Sequence, residues 1–279
     1  MKPIPSSICR LSGLAASLLA AACTSVSPPP PPATAPAHTA AASAANAIDA
    51  ALQREIQTVV VIFAENRGFD TLYGLFPGAD GIPGVNPGAR GAYIAQTDRG
   101  AGGAVLAKLP QTWGGVTAAG QAVTVAQGAT AGQDNRPFQI DAATGYQRSG
   151  IQVGQDVVTR DLYHRFFENQ MQINGGRNDK FAAYADAGGL TMGYYDGSAL
   201  AMWQVARRYT LADNFFMGAF GGSFLNHQYL ICACAPEYPN AATAAAKPSI
   251  SALQKDANGG FLPILSLAAR SPASAMDGP

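Results

Sequence analysis

A serine that follows two glycines is the strongest candidate for a catalytic residue in this sequence. Phe220-Gly221-Gly222-Ser223 leads into residues with helical spacing, which predicts that Ser223 lies in the first turn of a helix. Free backbone N–H groups and the positive end of the helix dipole meet at that position, and both favour a phosphoryl anion and an ionised hydroxyl. Ser223 is therefore a candidate nucleophile, and an ordinary helix N-cap is the alternative interpretation.

Glu65 and Asn66 are a second candidate group, because they directly follow an apolar, β-branched run. Residues 58–64 show no alternation, which predicts a parallel strand buried on both faces and hence an α/β domain. Open α/β sheets bind ligands at the carboxyl ends of their strands. The carboxylate and the amide there suit a divalent metal. Alternatively, Glu65 faces solvent and Asn66 caps the next turn.

Two histidines complete the candidate set. His227 follows Ser223 by four residues, which is about one helical turn. His164 falls on the polar side of a predicted helix, beside Arg160, Asp161 and Glu168. Either imidazole could protonate a leaving group or hold a phosphate oxygen. A solvated face for His164 and simple packing for His227 are the alternatives.

Helical patterns are expected to position these residues. They cover residues 48–57, residues 157–173 with a wide apolar stripe, residues 198–209 with Ser198 as the N-cap, and a stretch from Gly222 to Ala235 that Pro236 ends. Residues 77–154 are rich in Gly, Ala, Pro, Asn and Gln. We expect a long excursion or a small subdomain there.

The N-terminus predicts export. Residues 1–22 carry Lys2 and Arg10 before a short apolar run, as signal peptides do, and small residues precede Cys23. Lipid attachment at Cys23 and simple cleavage nearby are the two alternatives, so the protein is expected to be periplasmic, lipid-anchored at the cell envelope or secreted. Residues 23–47 include Pro28–Pro32 and predict a tether, which leaves residues 48–279 for the domain.

Charge and cysteine content exclude other classes of protein. Eighteen basic residues balance eighteen acidic ones, so no basic excess is present to bind nucleic acid. Cys9 would leave with the signal and Cys23 would become the first mature residue. We interpret the remaining pair, Cys232 and Cys234, as two small buried residues and not as a metal or redox site.

Four ordered motifs resemble one family. VVVIFAENRGFD at 59–70, MGYYD at 192–196, LADNFF at 211–216 and GGSFLNH at 221–227 are similar to the bacterial phosphoesterases that include phosphocholine-preferring phospholipases C and acid phosphatases. This family belongs to the alkaline-phosphatase-like superfamily. The resemblance implies a doubly wound, mostly parallel sheet flanked by helices.

The resemblance also implies a site. Glu65, Asn66 and Ser223 would bind a divalent metal, and Ser223 would attack phosphorus to give a phosphoseryl intermediate that water hydrolyses. His164 resembles a family histidine near the phosphate, and His227 matches a motif position.

Two departures from the family pattern stand out. Gly68 replaces the family's usual serine, and residues 237–279 hold only the isolated Asp256 and Asp277 where the family has an adjacent Asp pair further along. These departures, with a loop-like ending, predict a domain that is incomplete at its C-terminus and a metal site that is half built.

Three functions follow, in order of preference. Gly-Gly-Ser followed by Phe-Leu-Asn-His resembles the acid phosphatase branch, so the first is hydrolysis of phosphomonoesters, with an unidentified divalent metal. The second is phospholipase C activity. The third is an inactive, truncated, exported binding protein.

Overall fold

The structure, a computed structural model, describes residues 37–100, 102–117, 123–240 and 252–279, with side chains from residue 46 onward. The predicted signal at residues 1–22, Cys23 and the proline run lie outside the described residues. The chain forms two units, residues 1–63 and residues 64–279. None of the described helices is both long and apolar enough to cross a bilayer.

The described residues of the first unit, 37–63, contain one long helix. α1 spans Ala37–Glu55 and so begins inside the segment that we predicted as a tether, because alanine is the strongest helix former. The predicted helix at 48–57 is confirmed up to Glu55.

The predicted buried strand at residues 58–64 is wrong. These residues form no strand, and the side chains of Val59 to Ile62 are 61–79% exposed. A β-branched run becomes a strand only where a neighbouring strand pairs with its backbone, and no described strand does so here.

The second unit is built from short elements. The helices in its described residues are α2 (Phe69–Tyr73), α3 (Phe166–Ile173), α4 (Ala201–Ala206), α5 (Ser223–Cys232) and α6 (Leu267–Arg270). β1 (Phe138–Gln139) pairs in parallel with β2 (Gly193–Tyr194), and β3 (Leu253–Lys255) pairs antiparallel with β4 (Phe261–Pro263). Helices with one parallel pair agree with the α/β class. The described residues contain only these two-stranded sheets, so the doubly wound sheet stays a prediction.

Residues 77–154, which we predicted as a long excursion or a small subdomain, contribute to the hydrophobic core. Most of the core side chains come from this range, among them Leu109, Val116, Val125 and Ile140. The glycines and prolines make turns that let widely spaced apolar side chains point to one centre. The segment is therefore the scaffold of the second unit.

Two predicted helices are shorter than expected. The helix predicted at 157–173 begins only at Phe166, since Thr159 bridges Thr117 in an extended segment. The predicted apolar stripe is wrong, because Glu168 is fully buried while Phe166 is exposed.

In the pattern at 198–209, Asp196 caps a 3₁₀ turn at Gly197–Ala199, and α4 follows from Ala201. The Asp196 carboxylate accepts the Ser198 N–H, so Ser198 is not the N-cap.

The C-terminal segment also differs from the expected loop-like ending. It forms the β3–β4 hairpin, α6 and a 3₁₀ turn at Ala275–Asp277. The Asp256 carboxylate accepts the N–H groups of Asn258 and Gly260 in the hairpin turn, which is a structural role.

α2 is fixed to the core just after the Glu65-Asn66 pair. The Trp203 indole Nε1–H donates to the Leu72 carbonyl at 2.9 Å, and the Tyr195 N–H donates to the Thr71 carbonyl at 2.8 Å. A Cβ at Gly197 would lie 2.1 Å from the same Leu72 oxygen, so only glycine allows this approach.

Candidate active site

The turn before α5 delivers Ser223 to a helix N-terminus, as predicted. Gly222 is the N-cap and Ser223 is the first helical residue, so the alternative of a Ser223 N-cap is wrong. Gly221 has a φ of 154°, a backbone conformation that favours glycine. The half-buried Ser223 side chain lies where the backbone N–H groups at the start of α5 have no helical acceptors.

Asn226 holds this turn in shape. Its side chain is buried, and its amide donates to the Ala219 carbonyl at 2.9 Å and accepts the Ala219 N–H at 3.1 Å. The same amide lies 3.4 and 3.3 Å from the carbonyls of Gly221 and Gly222. Sequence reasoning assigned no role to Asn226. An amide one helical turn after a double glycine is the signal that could have identified it.

His164 lies against the same turn, although not on a helix. A Cβ built on Gly222 would be 2.9 Å from the His164 carbonyl oxygen and 3.8 Å from its Nδ1. The imidazole Nε2 lies 3.8 Å from the Asp161 carboxylate, and both side chains are largely exposed. The predicted proximity of His164 to Asp161 is confirmed. Glu168 is buried, so it does not share a solvated face with His164.

Glu65 and His227 meet directly. Glu65 Oε1 lies 3.1 Å from His227 Nε2, and the two side chains are 29% and 46% exposed. His227 is one turn beyond Ser223 on the same side of α5, which separates their Cβ atoms by about 6 Å. The carboxylate, the imidazole and the serine therefore belong to one partly exposed cluster. The alternative of a Glu65 that only faces solvent is wrong.

Asn66 and Arg67 directly follow Glu65 in the chain. Asn66 has a φ of 24°, which asparagine tolerates better than most residues, and its side chain is exposed. It does not cap α2, whose N-cap is Gly68. The Arg67 guanidinium lies over the Tyr195 ring at 5.4 Å, which ties the backbone beside Glu65 to a buried side chain. Burial raises the pKa of Tyr195, although the Arg67 charge opposes this effect.

The predicted metal ligands carry donor atoms of the kind that divalent cations bind. Glu65, Asn66 and Ser223 carry the oxygen donors that hard cations prefer, and His227 adds a nitrogen next to Glu65. In the part of the chain that the structure describes, no three His, Cys, Asp or Glu side chains converge on one point.

The two cysteines at the end of α5 correct our interpretation of them as buried residues. Cys232 and Cys234 are exposed, and they form a disulfide with each other. Ala233 between them has a φ of 51°, and this left-handed residue ends the helix.

Comparison with known proteins identifies the family of the chain. A sequence model of the Phosphoesterase family matches residues 56–266, which is more than half of the 279 residues and includes every candidate side chain. No curated protein and no solved structure matches the chain at a significant level. The chain therefore belongs to the Phosphoesterase family.

Proposed function

We propose that this protein, a hydrolase of phosphoric esters by family, acts on phosphomonoesters through a phosphoseryl intermediate. The observation that carries the proposal is the position of Ser223 at the start of α5, one turn from His227 in contact with Glu65. The N–H groups at the start of α5 face a phosphoryl group bound there. The resemblance of Gly-Gly-Ser-Phe-Leu-Asn-His to the acid phosphatase branch supports a monoester.

Two displacements at phosphorus make up the proposed reaction. Ser223 Oγ attacks phosphorus while its proton passes to the His227 imidazole, the bond from phosphorus to the ester oxygen breaks, and the leaving oxygen takes that proton from the imidazolium. Water then attacks the phosphoserine and returns Ser223 Oγ with a proton. The contact of His227 with Glu65, one helical turn after Ser223, supports a role for His227 in these proton transfers, and the close approach of His164 to Gly222 supports a role for His164 near the phosphoryl group.

A divalent metal is part of the proposal. Glu65 and Asn66 would hold it together with Ser223, and when bound it would lower the pKa of a coordinated hydroxyl. Glu65 also orients His227 by its contact at 3.1 Å.

The test is hydrolysis of p-nitrophenyl phosphate at mildly acidic pH with Mg²⁺, Mn²⁺, Ca²⁺ or Zn²⁺ added in turn. Ser223→Ala is expected to reduce kcat by at least about a thousandfold, because it removes the attacking oxygen. Glu65→Ala is expected to abolish the response to metal. Ser198→Ala, an exposed serine outside the cluster, is the matched control. A Ser223→Ala variant as active as the control would contradict the proposal, and absence of turnover in every variant would favour the non-enzymatic binding protein.

One observation favours phospholipase C activity as the second candidate. Apolar side chains near Ser223 are exposed, with Phe216 at 80%, Phe220 at 63% and Phe224 at 46%. Such a surface suits a substrate with acyl chains better than a small soluble ester. Faster turnover of a phosphocholine lipid than of p-nitrophenyl phosphate would favour this candidate.

Localisation is a further part of the proposal. The signal-like residues 1–22 and Cys23 support export, with a lipid at Cys23 as the membrane contact, and the balanced charge argues against a nucleic-acid partner. Cell fractionation with labelled palmitate would separate a lipid-anchored form from a periplasmic or secreted one.

A further inference from the structure

The disulfide at the end of α5 lies where other molecules can reach it. Cys232 and Cys234 are both exposed, and their bridge closes a ring across a single residue, Ala233. Cys232 is the last residue of α5, and the side chain of the preceding Ile231 is 81% exposed. This end of the helix is therefore open to solvent, and a thiol in solution has access to the sulfur atoms.

The bridge contributes little to holding the fold together. The stabilisation that a disulfide gives rises with the number of residues in the loop that it closes, and these two cysteines are only two positions apart. Residues 231–240 are all exposed, so the bridge does not attach a distant segment to the core. The fold is therefore expected to survive reduction of this disulfide.

The reduced form of the pair also finds a favourable environment. The Cys232 sulfur lies 3.2 Å from the Gln228 carbonyl oxygen, so this oxygen can accept the Cys232 S–H once the bridge is open. Ala233 has a φ of 51°, a left-handed conformation that is costly for a residue with a Cβ. Opening the ring frees Ala233 from the constraint of the bridge. Both features favour the dithiol form.

We propose that the bridge between Cys232 and Cys234 is a redox-active disulfide that oxidises dithiols, which is a second activity of this chain. It does not depend on the reaction at Ser223. A dithiol is the matching substrate, because its second thiol lies close enough to complete the exchange.

The exchange takes place in two steps. A thiolate of the substrate attacks the Cys232 sulfur, a mixed disulfide forms, and the bond from Cys232 to Cys234 breaks. Cys234 leaves first and takes up a proton, because the negative end of the α5 dipole disfavours a thiolate on Cys232. The second substrate thiolate then attacks the substrate sulfur of the mixed disulfide and releases Cys232, which also takes up a proton. Two electrons and two protons pass from the dithiol to the cysteine pair.

The first measurement is the redox equilibrium of the pair in the full chain. The protein is equilibrated without oxygen in about 10 mM reduced and about 0.1 mM oxidised glutathione, where a structural disulfide of a secreted protein stays more than about 90% oxidised. Free thiols are then alkylated, and mass spectrometry of the peptide that contains both cysteines gives the reduced fraction. At least about half of the pair is expected to be reduced.

The second measurement is transfer of the disulfide. The oxidised chain is mixed without oxygen with an excess of a reduced synthetic peptide that carries two cysteines, and one peptide disulfide is expected for each chain. Cys234→Ser cannot form the bridge and is expected to abolish the transfer. Cys23→Ser, the same change at a cysteine outside the pair, is the matched control and should oxidise as much peptide as the parent.

Each result decides the matter. Reduction of at least half of the pair, with transfer that Cys234→Ser abolishes and Cys23→Ser retains, supports the proposal. A pair that stays more than half oxidised in the glutathione buffer would be a structural disulfide and would overturn it. Peptide oxidation that is absent in the parent, or equal in the parent and Cys234→Ser, would also overturn it. Circular dichroism of each variant confirms that the fold is retained.

Discussion

At the scale of single residues, the contact between Glu65 and His227 joins positions 162 residues apart. The two side chains were predicted for different roles, one as a metal ligand and the other as an acid or base. Their separation of 3.1 Å makes these roles dependent on each other, because the carboxylate orients the imidazole and the imidazole limits how the carboxylate turns.

This dependence gives a prediction for Glu65→Gln and His227→Gln. Each single change is expected to lower kcat/KM by about 10- to 100-fold, since general acid–base help is worth that much or more. The kcat/KM of the double variant is expected to lie within about threefold of that of the less active single variant. The second change removes a group that has already lost its partner. The kcat/KM values of the parent, the two single variants and the double variant for p-nitrophenyl phosphate form a double-mutant cycle. Glu237→Gln, the same change at an exposed glutamate, serves as the control. If the fold-losses in kcat/KM of the two single variants multiply in the double variant, Glu65 and His227 act independently.

At the scale of elements, α5 and the turn before it shape the candidate site. The double glycine lets the His164 segment approach the N-cap, and Asn226 ties the turn to the helix. These are local features, so the sequence predicted the start of α5 at Ser223. The extent of α3 depends instead on a bridge between Thr117 and Thr159 that no local pattern reveals.

Gly222→Ala tests the close approach of the His164 backbone to the turn before α5. The added methyl would lie 2.9 Å from the His164 carbonyl oxygen, so the two segments must separate. We expect a loss of stability of about 1–2 kcal/mol and at least about a tenfold fall in kcat, because small displacements of catalytic groups are costly. Gly128→Ala, where no atom lies within 4 Å of the new methyl, is the control. Thermal melting and kinetics measure both effects, and full activity in Gly222→Ala would refute the tight packing.

At the scale of the whole second unit, the C-terminal segment is attached to the core by a few polar contacts. The Asp98 carboxylate accepts hydrogen bonds from Ser274 Oγ and the Ala275 N–H, and Arg99 donates to the Ala273 carbonyl at 3.0 Å. Fully buried Glu168 on α3 accepts the Ser266 N–H at 2.7 Å. These contacts join the residues before and after α6 to the scaffold.

Glu168 predicts a pH dependence of stability. Burial raises the pKa of Glu168 above its ordinary value of 4.5, although the Ser266 N–H opposes this effect. Folding therefore favours the protonated acid. Its contribution is complete below pH 4.5 and is lost as the pH rises through the folded-state pKa.

Glu168→Gln cannot titrate, so the free energy of unfolding of the parent minus that of this variant should fall as the pH rises from 4.5 through the folded-state pKa of Glu168. Urea unfolding at each pH measures the difference, with exposed Glu55→Gln as the control. A difference that stays constant over this range would mean that Glu168 does not change its charge state on folding.

The sequence by itself determined the family, the candidate residues and the helix that begins at Ser223, because motifs, capping and turn chemistry depend on near neighbours in the chain. Only the tertiary structure decided which candidates meet, where the core lies, and that Cys232 and Cys234 form a disulfide. The apolar runs at 58–64 and 157–165 show the reason. Whether such a run becomes a buried element depends on partners far away in the chain, and spacing along the chain does not reveal these partners.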